Sequence, residues 1–417
     1  MIKCIHPIMP KGALFMKALL RLLPLLLLTG LLCLGAEAEP AAELTDTCVI
    51  RAPGVKVYKV NRMLDRNYGT AFRLEKRRVM HIRSKGAAIG ALYLRFFNQP
   101  QTVDLQVEEA DGWVTVATAG ADFVDEWVAL PRPAQEVRLR SSTGGEVKID
   151  ELYVYGEGEP PSDVHLWSIS EKADIMLLSA HPDDELLWFG GLIPTYAGDR
   201  GKVVQLVYAT SSPLRKLELL DALWLCGDRS YPYFCDLPDR IGRSIDSLYS
   251  LWKRDRFFGM VTEAIRRFQP DVLITQDIDG EYGHTAHKAV ADAAIQCYTL
   301  AADATVFTDS AASYGTWQVK KLYIHLWPEH QLHMDWSVPL AAFGGETGLS
   351  VASRALDCHR SQRGTWSMNS SLTYDNTAFG LYATEVGPDE RCDDLLEHIG
   401  EPVTSLPAIL TPISLQD

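Results

Sequence analysis

The chain has 417 residues, of which 47% are apolar and 23% are charged, a composition that excludes disordered, collagen-like and fibrous proteins. This length is long for a single hydrophobic core and favours two domains. The formal charge of −14 at pH 7 argues against non-specific binding to nucleic acid or anionic lipid, although local basic patches remain compatible with it.

The first 38 residues have the pattern of a secretory signal peptide. Basic residues precede an apolar run over residues 22–34, and small residues at Ala36 and Ala38 form a cleavage site. A transmembrane anchor is the alternative, but the run is shorter than the ~20 residues that a membrane-spanning helix needs. We therefore expect a signal peptide over residues 1–38, with translation starting at Met1 or Met16, and a secreted or periplasmic protein.

Cleavage would leave six cysteines, and an oxidising compartment permits disulfides among them. These six are Cys48, Cys226, Cys235, Cys297, Cys358 and Cys392. The pairing of the six stays open. Cys226 and Cys235 flank a short turn and form the first pair to test, with buried free thiols as the alternative.

Residues 39–160 are expected to form an all-β domain. Residues 91–96 and 136–140, for example, alternate between apolar and polar side chains, which is typical of half-buried strands. Turn signals such as Asp111-Gly112 separate such segments. The spacing of strands and turns predicts a β-sandwich.

Two segments of this region, residues 64–72 and 149–156, resemble discoidin-like (galactose-binding-like) jelly rolls. The resemblance covers roughly 110 residues and implies loops that bind sugar. A structural domain packed on its neighbour is the alternative. Trp113 and Trp127 are candidate sugar-stacking platforms, although tryptophans on strands are more often part of a core.

A turn-rich break at residues 156–162 marks a domain boundary, and the second domain is expected over residues 165–417. Its predicted strands and helices alternate, which favours an α/β fold with a Rossmann-like parallel sheet and helices on both faces. The strands are 173–180, 203–209 and 271–275, and the helices are 214–225, 257–268 and 285–300. Ligands bind such sheets beyond the carboxyl ends of the strands.

The first of these strands ends in a cluster of chemically active side chains. His181 and Asp184 are three residues apart across a strand-to-helix turn, so both are expected to reach one metal ion. Asp183 must then project differently, which leaves it free to act on a water molecule. The alternative is that Asp183 or Asp184 only caps the following helix.

A second cluster, His284 and His287, follows the strand 271–275 and its loop. Imidazoles at positions i and i+3 at a helix start lie on one side of the chain. A lone His-x-x-His is weak evidence, but two clusters at two strand ends strengthen each other. Two histidines and one carboxylate with open water positions are the layout of a catalytic zinc site, and Fe²⁺ and Co²⁺ are alternative ions.

The segments 180–185 and 283–287, in this order and about a hundred residues apart, resemble the motifs of the PIG-L/LmbE family of zinc N-deacetylases. The resemblance covers roughly residues 170–400. It implies a Rossmann-like fold that removes an acetyl group from N-acetylglucosamine-containing substrates, with metal-bound water as the nucleophile.

Carried over by position, the resemblance implies a role for each of eight residues. They are His181, Asp184 and His287 as metal ligands, Asp183 as general base, His284 as general acid or oxyanion partner, Tyr282 as the group that polarises the acyl oxygen, and Arg215 and Asp239 as substrate-binding residues. We expect His284 to be charged near neutral pH if it lies beside a carboxylate. Arg215 and Glu218 could instead form a surface ion pair.

We therefore expect a secreted zinc amidohydrolase that deacetylates an N-acetylated sugar or glycan, with no nucleic-acid partner and no membrane span after signal cleavage. A deacylase of another glycoconjugate amide is one alternative. A secreted carbohydrate-binding protein with a non-catalytic hydrolase-like domain is another, and the intact active-site residues argue against it. His325, His330 and His333 are interpreted as loop or packing residues rather than a second metal site.

Overall fold

The computed structural model describes residues 39–98, 101–240, 242–364, 367–368 and 373–400. The predicted signal peptide, residues 1–38, lies outside the described residues. Among the described residues, no helix is both long and apolar enough to span a bilayer.

The first part of the described chain contains nine strands in two sheets. They are β1 (Cys48–Arg51), β2 (Phe72–Leu74), β3 (Val79–Ser84), β4 (Ile89–Phe96), β5 (Val103–Glu109), β6 (Gly112–Ala119), β7 (Asp125–Ala134), β8 (Glu136–Ser141) and β9 (Val147–Tyr155). One sheet has the order β1-β3-β8-β5-β6 and the other β2-β9-β4-β7, and every pair is antiparallel. The predicted all-β sandwich is confirmed.

The alternation of side chains explains why these strands form a sandwich. In β3, Met80 and Ile82 are buried between the sheets, whereas His81 and Arg83 face outward. The two tryptophans considered as sugar platforms pack within the domain. The guanidinium of Arg138 lies 4.5 Å from the ring centre of Trp113, and Trp127 packs on Tyr155 with ring centres 4.9 Å apart.

The second part contains a sheet of seven strands in the order β12-β11-β10-β13-β14-β16-β15. The strands are β10 (Ile175–Ser179), β11 (Val204–Thr210), β12 (Tyr233–Leu237), β13 (Val272–Thr275), β14 (Lys321–His325), β15 (Gln331–His333) and β16 (Ala378–Thr384). The five strands from β12 to β14 are parallel, as predicted, while β16 and β15 add an antiparallel edge. The strand order reverses beside β10, so its carboxyl end is the switch point at which ligands bind in such sheets.

Helices cover both faces of this sheet. Within the described residues, the helices are α1 (Val57–Val60) in the sandwich and then α2 (Asp184–Leu187), α3 (Pro213–Leu225), α4 (Ile245–Trp252), α5 (Arg254–Phe268), α6 (Thr285–Leu300), α7 (Thr308–Tyr314) and α8 (Gly348–Leu356). Alternate side chains of β10 enter two different cores. Ile175 and Leu177 belong to one, and Met176 and Leu178 to the other. The fold is therefore the predicted α/β sheet between two helical layers.

The two cysteines chosen as the first disulfide to test do not pair. Cys226 and Cys235 are both buried free thiols, and they belong to different cores, on opposite faces of the sheet. Burial raises the pKa of both thiols. The two do not pair because β12 carries the second cysteine to the other face of the sheet, and the buried-thiol alternative describes both residues.

The sandwich is bound to the α/β sheet domain through a buried arginine. Arg95 on β4 places one guanidinium nitrogen 2.9 Å from the carboxylate of Asp221 and donates to the carbonyl of Leu217, 3.3 Å away. The hydroxyl of Tyr68 donates to the same Asp221, 2.8 Å away. Because both acceptors lie on α3, the sandwich helps to fix the helix that carries Arg215.

Candidate metal and catalytic site

The turn after β10 brings the first predicted ligand pair together. The backbone N–H of His181 donates to Oδ2 of Asp184, 2.8 Å away, so the carboxylate folds back over the turn. The same oxygen lies 3.1 Å from Nδ1 of His181. Oδ1 of Asp184 accepts a hydrogen bond from the indole of Trp188 at 2.8 Å. Both oxygens of the carboxylate are therefore fixed.

His287, on the first turn of α6, completes the cluster. Its Nε2 lies 3.4 Å from Oδ2 of Asp184 and 3.3 Å from Nδ1 of His181. With the pair above, three ligand-type atoms from three residues are mutually 3.1–3.4 Å apart, and all three residues are buried. Burial alone would raise the pKa of Asp184, but the imidazoles of His287 and His181 lower it. The three atoms are spaced so that they could hold one metal ion.

His284 lies at the edge of the same cluster. Ring nitrogens of His181, His284 and His287 lie within 4.8 Å of one another, so His284 is an alternative ligand to Asp184. However, Nδ1 of His284 accepts the backbone N–H of Ala286 at 3.3 Å and caps α6. A neutral imidazole with Nδ1 as acceptor carries its proton on Nε2, so His284 is best placed to donate a hydrogen bond.

The prediction that His284 is charged near neutral pH is wrong for this site. Burial lowers the pKa of His284, and the neighbouring His181 and His287 lower it further, to about 4. Two nearby carboxylates, Asp184 and Asp239, oppose these effects but are weaker. His284 is therefore a neutral donor at neutral pH.

Asp183 lies beside the metal cluster but is held by other partners. Its Oδ1 accepts a hydrogen bond from the guanidinium of Arg215 at 2.9 Å, and its backbone N–H donates to Glu185 at 2.8 Å. Burial raises the pKa of Asp183, and the Asp184 carboxylate raises it further, while Arg215 opposes both. A carboxylate with a raised pKa is suited to taking a proton near neutral pH.

The helix-capping alternative for these aspartates fails on geometry. Asp183 occupies the N-cap position of α2, but its side chain makes no capping hydrogen bond. Its backbone has φ of 105°, a conformation that costs a residue with a Cβ of order 1–3 kcal/mol and that concentrates at functional sites. The turn is therefore shaped to aim Asp183 and Asp184 in different directions, as predicted.

Arg215 and Asp239 meet at the open side of the site. Asp239 is half exposed, with Oδ1 3.5 Å from Nε2 of His181 and Oδ2 3.9 Å from Arg215. The alternative of a surface pair between Arg215 and Glu218 is wrong, because Glu218 is buried and accepts from the backbone N–H and hydroxyl of Ser361. Both predicted substrate-binding residues therefore face the site.

Tyr282 covers the cluster from the loop before α6. Its ring centre lies 5.5 Å from that of His284 and 5.3 Å from that of His287, and 40% of the residue is exposed. Burial of the remainder raises the pKa of Tyr282. The phenol therefore stays protonated at neutral pH.

Two buried residues behind His287 were not assigned a role from the sequence. The carboxylate of Glu281 accepts from Nδ1 of His287 at 2.7 Å and from Nδ1 of His325 at 2.6 Å. Burial opposes ionisation, but the hydrogen bonds from His287 and His325 lower the pKa of Glu281 to about 2. A carboxylate on Nδ1 fixes the tautomer that presents Nε2 of a histidine to a metal.

His325, at the end of β14, is buried between the carboxylate of Glu281 and the backbone carbonyl of Asp375, a packing position of the kind interpreted from the sequence. His330 and His333 are exposed. The sequence contained a signal for Glu281, because this acidic residue directly precedes Tyr282 and Gly283 of the second motif. No local pattern connects Glu281 with His325.

A second buried pair supports Asp183. One oxygen of Glu185 accepts the Asp183 N–H, and the other lies 2.9 Å from Nε2 of His359. Burial would lower the pKa of His359, but Glu185 raises it. Glu185 thus connects the turn that carries Asp183 with the segment after α8 (Gly348–Leu356).

Fold and geometry together define an α/β domain with a buried candidate metal site at the switch point of its sheet, joined to a β-sandwich. Residues 176–298 match the family model described as "PIG-L: GlcNAc-PI de-N-acetylase". This segment contains both site motifs. The chain therefore contains a PIG-L family domain at residues 176–298.

Individual relatives match parts of the chain. Over 203 residues it is 25% identical to 1D-myo-inositol 2-acetamido-2-deoxy-alpha-D-glucopyranoside deacetylase 1 of Catenulispora acidiphila, a match that covers 42% of this chain and 62% of that protein. The chain spans about six-tenths of the length of the curated relatives it matches.

Two solved structures are similar to parts of the chain. N,N'-diacetylchitobiose deacetylase from Pyrococcus horikoshii is 20% identical with a TM-score of 0.36, covering 46% of this chain and 71% of that one. CpGH89CBM32-6 from Clostridium perfringens is 16% identical with a TM-score of 0.24, covering 28% of this chain and 100% of that one.

Proposed function

We propose that this protein is a zinc-dependent amidohydrolase that removes the acetyl group from an N-acetylglucosamine-containing sugar or glycan. The observation that carries the proposal is the triangle formed by His181, Asp184 and His287, with Asp183 beside it. Tetrahedral zinc with bonds of about 2.0–2.1 Å places its ligand atoms about 3.3–3.4 Å apart, which agrees with the 3.1–3.4 Å found here.

The donor set also fits a catalytic ion. Two imidazoles and one carboxylate leave coordination positions for water and substrate, as in catalytic zinc sites. When bound, zinc lowers the pKa of water to about 7 and polarises a carbonyl. Asp184 serves as the third ligand in this proposal, because Nδ1 of His284 is engaged by Ala286.

The other residues supply the proton transfers. Asp183 takes a proton from the attacking water and delivers it to the leaving amine, so that acetate and a free amino sugar are formed. His284 and Tyr282 donate hydrogen bonds to the oxygen on which charge develops, and one such donor contributes about 3 kcal/mol to lowering the barrier. Arg215 and Asp239 bind the sugar at the open side of the site.

The test is amine release from N-acetylglucosamine oligomers by the purified protein. We expect turnover that a chelator abolishes and zinc restores, with elemental analysis reporting the bound metal. Fe²⁺ or Co²⁺ would restore turnover if either ion is the native one. Release of no amine from oligomers of any length, with zinc bound at one equivalent, would contradict the proposal.

The principal competing function is a carbohydrate-binding protein without catalysis. In that case sugar would bind without amine release. The buried Asp183 with its raised pKa, directly beside the ligand Asp184 in the chain, favours the enzyme, since binding alone requires neither a general base nor an open metal position.

We further propose that residues 1–38 are a cleaved signal peptide and that the protein is secreted or periplasmic, with domains at residues 39–160 and 165–417. The basic start, the apolar run and the small residues before position 39 support this. Mass spectrometry of the N-terminus of the exported protein tests it, with Glu39 expected as the first residue.

A further inference from the structure

A short segment of the sandwich domain concentrates positive charge on an otherwise acidic protein. Residues 51–78 contain nine basic residues and two acidic ones, while the chain as a whole has a formal charge of −14. The basic residues are Arg51, Lys56, Lys59, Arg62, Arg66, Arg73, Lys76, Arg77 and Arg78. The rest of the chain is therefore more acidic than the total suggests.

Part of this segment forms a groove of about 470 Å³, within the size range of ligand sites. We call it the basic groove. Its lining includes Lys56, Tyr58, Lys59, Arg62, Arg73 and Arg78. Glu75, the one acidic residue in the lining, is engaged by Arg78 at 2.7 Å.

Three cations of the basic groove have no acidic partner. Lys56, Lys59 and Arg62 are exposed, and none of them forms an ion pair with a described residue. Like charges held close together repel one another, so a cluster of this kind lowers stability until an anion joins it. An anionic ligand can therefore neutralise the charge of this cluster.

An aromatic side chain stands at the same groove. Tyr58 is 59% exposed. It lies on α1, between Lys56 and Lys59 in sequence. An exposed aromatic ring offers an apolar face and a hydroxyl, a combination suited to the face and the hydroxyl groups of a sugar ring. Cations and an exposed ring together favour an anionic sugar polymer.

The charge of the remaining surface argues against a broad anionic partner. A membrane or a nucleic-acid duplex would extend beyond the groove, and outside residues 51–78 the chain carries more acidic than basic residues. Exposed charges act over a Debye length of about 8 Å at physiological ionic strength, so the net negative charge of the rest of the chain disfavours such a partner. A narrow, flexible chain can contact the cations of the groove without extending over the rest of the surface. Arginine pairs with carboxylates through two parallel hydrogen bonds.

We propose that the basic groove binds the carboxylates of a uronic-acid-containing glycan, and that this glycan also bears the acetamido groups on which the catalytic site acts. The second clause rests on the proposed function. The groove would hold the polymer while the sheet domain removes its acetyl groups, so the two sites would recognise different sugars of one chain.

The test uses the full chain and a hyaluronan octasaccharide, in which glucuronate alternates with N-acetylglucosamine. Titration calorimetry should give a Kd at least tenfold lower for this ligand than for a neutral N-acetylglucosamine oligomer of comparable length, with binding that weakens as salt rises. The triple variant Lys56→Gln, Lys59→Gln, Arg62→Gln should lose at least tenfold in affinity for the octasaccharide. Tyr58→Ala should lose several-fold.

A matched control removes three other surface cations through Lys85→Gln, Arg140→Gln and Arg256→Gln. Its affinity should stay within twofold of that of the unaltered protein. Both triple variants should release amine from a short neutral oligomer at the normal rate. Equal losses in the two triple variants, or equal affinity for neutral and anionic oligomers, would overturn the proposal.

Tighter binding to phosphatidylglycerol vesicles or to a single-stranded oligonucleotide than to the octasaccharide would also overturn it. If the protein binds the octasaccharide through the groove but releases no amine from any acetylated oligomer, the groove assignment stands and the proposed function fails. If the protein releases amine from acetylated oligomers but does not bind the octasaccharide through the groove, the proposed function stands and the groove assignment fails.

Discussion

The two halves of the candidate site hold buried carboxylates in opposite ways. Asp183, after β10, is buried near a second carboxylate, and these two effects outweigh its one guanidinium partner, so its pKa is raised. Glu281, before α6, lies between two imidazoles, so its pKa is lowered to about 2. The same functional group is thus prepared to accept a proton on one side and to remain a permanent anion on the other. The environment, rather than the residue type, separates a base from an anchor.

The backbone follows the same division. Asp183 has a φ of 105°, whereas His287 lies in the first turn of a regular helix. Backbone strain that is retained at Asp183 in a buried turn indicates that the direction of this side chain matters. If this division holds, the Asp183 side performs the chemistry and the Glu281 side holds the metal, so variants on the two sides should have different effects.

The largest effect is expected for Asp183→Asn. The amide keeps the size of the side chain but takes no proton, so kcat should fall by about 10²–10⁴, the usual contribution of a general base. Metal content by elemental analysis should be unchanged, because Asp183 makes none of the contacts of the metal triangle. Loss of the metal in this variant would show that the two halves are not separate.

The next effect is expected on metal affinity in Glu281→Gln. The amide cannot accept from His287 and His325 in the same way, and loss of such an outer partner typically costs 10–100-fold in metal affinity or activity. Zinc titration against a competing chelator measures it. Turnover at saturating zinc should fall much less than in Asp183→Asn.

Asp183→Asn serves as the control here, since it should retain normal zinc affinity. If Glu281→Gln binds zinc normally and loses turnover as strongly as Asp183→Asn, Glu281 takes part in the reaction and the comparison is broken.

The sequence predicted much of this site, because its residues lie in short local motifs at the ends of predicted strands and helices. The helix predicted over 285–300 coincides with α6, and His181, Asp183, Asp184 and His287 meet where the ends of two parallel strands meet. The antiparallel strand β16 and the contact between Glu281 and His325 depend on which strand lies beside β14. Periodicity along the chain does not contain that information.

The charge state of His284 was missed for a related reason. The sequence places it next to possible carboxylates, but the structure surrounds it with two further imidazoles. The pKa of a buried group depends on which neighbours lie closest, and these neighbours come from different strand ends.

A smaller effect is expected from His359, which acts on Asp183 through Glu185. His359→Ala removes the group beside Glu185 and should lower kcat about tenfold, with KM and metal content nearly unchanged. His359→Gln can place an amide N–H where Nε2 lies and should recover most of the loss. His359→Asn, whose amide is too short to reach Glu185, should behave like the alanine variant. Equal activity in the Gln and Asn variants would remove His359 from the positioning of the base.

The subtlest effect is a shift in pH dependence in Arg215→Met. The guanidinium lowers the pKa of Asp183 in opposition to burial and to Asp184, so its removal leaves that pKa higher still. A base acts only when deprotonated, and turnover is therefore lost as pH falls through its pKa. The acid limb of kcat against pH should move to higher pH in this variant, whereas Asp239→Asn should leave the limb nearly in place while raising KM.

Rate profiles at saturating substrate measure the position of this acid limb. If the limb does not move in Arg215→Met, a group other than Asp183 sets it. In that case the raised pKa of Asp183 would have no role in turnover. The contrast between Asp183 and Glu281 would then be a difference in electrostatic environment with no consequence for the reaction.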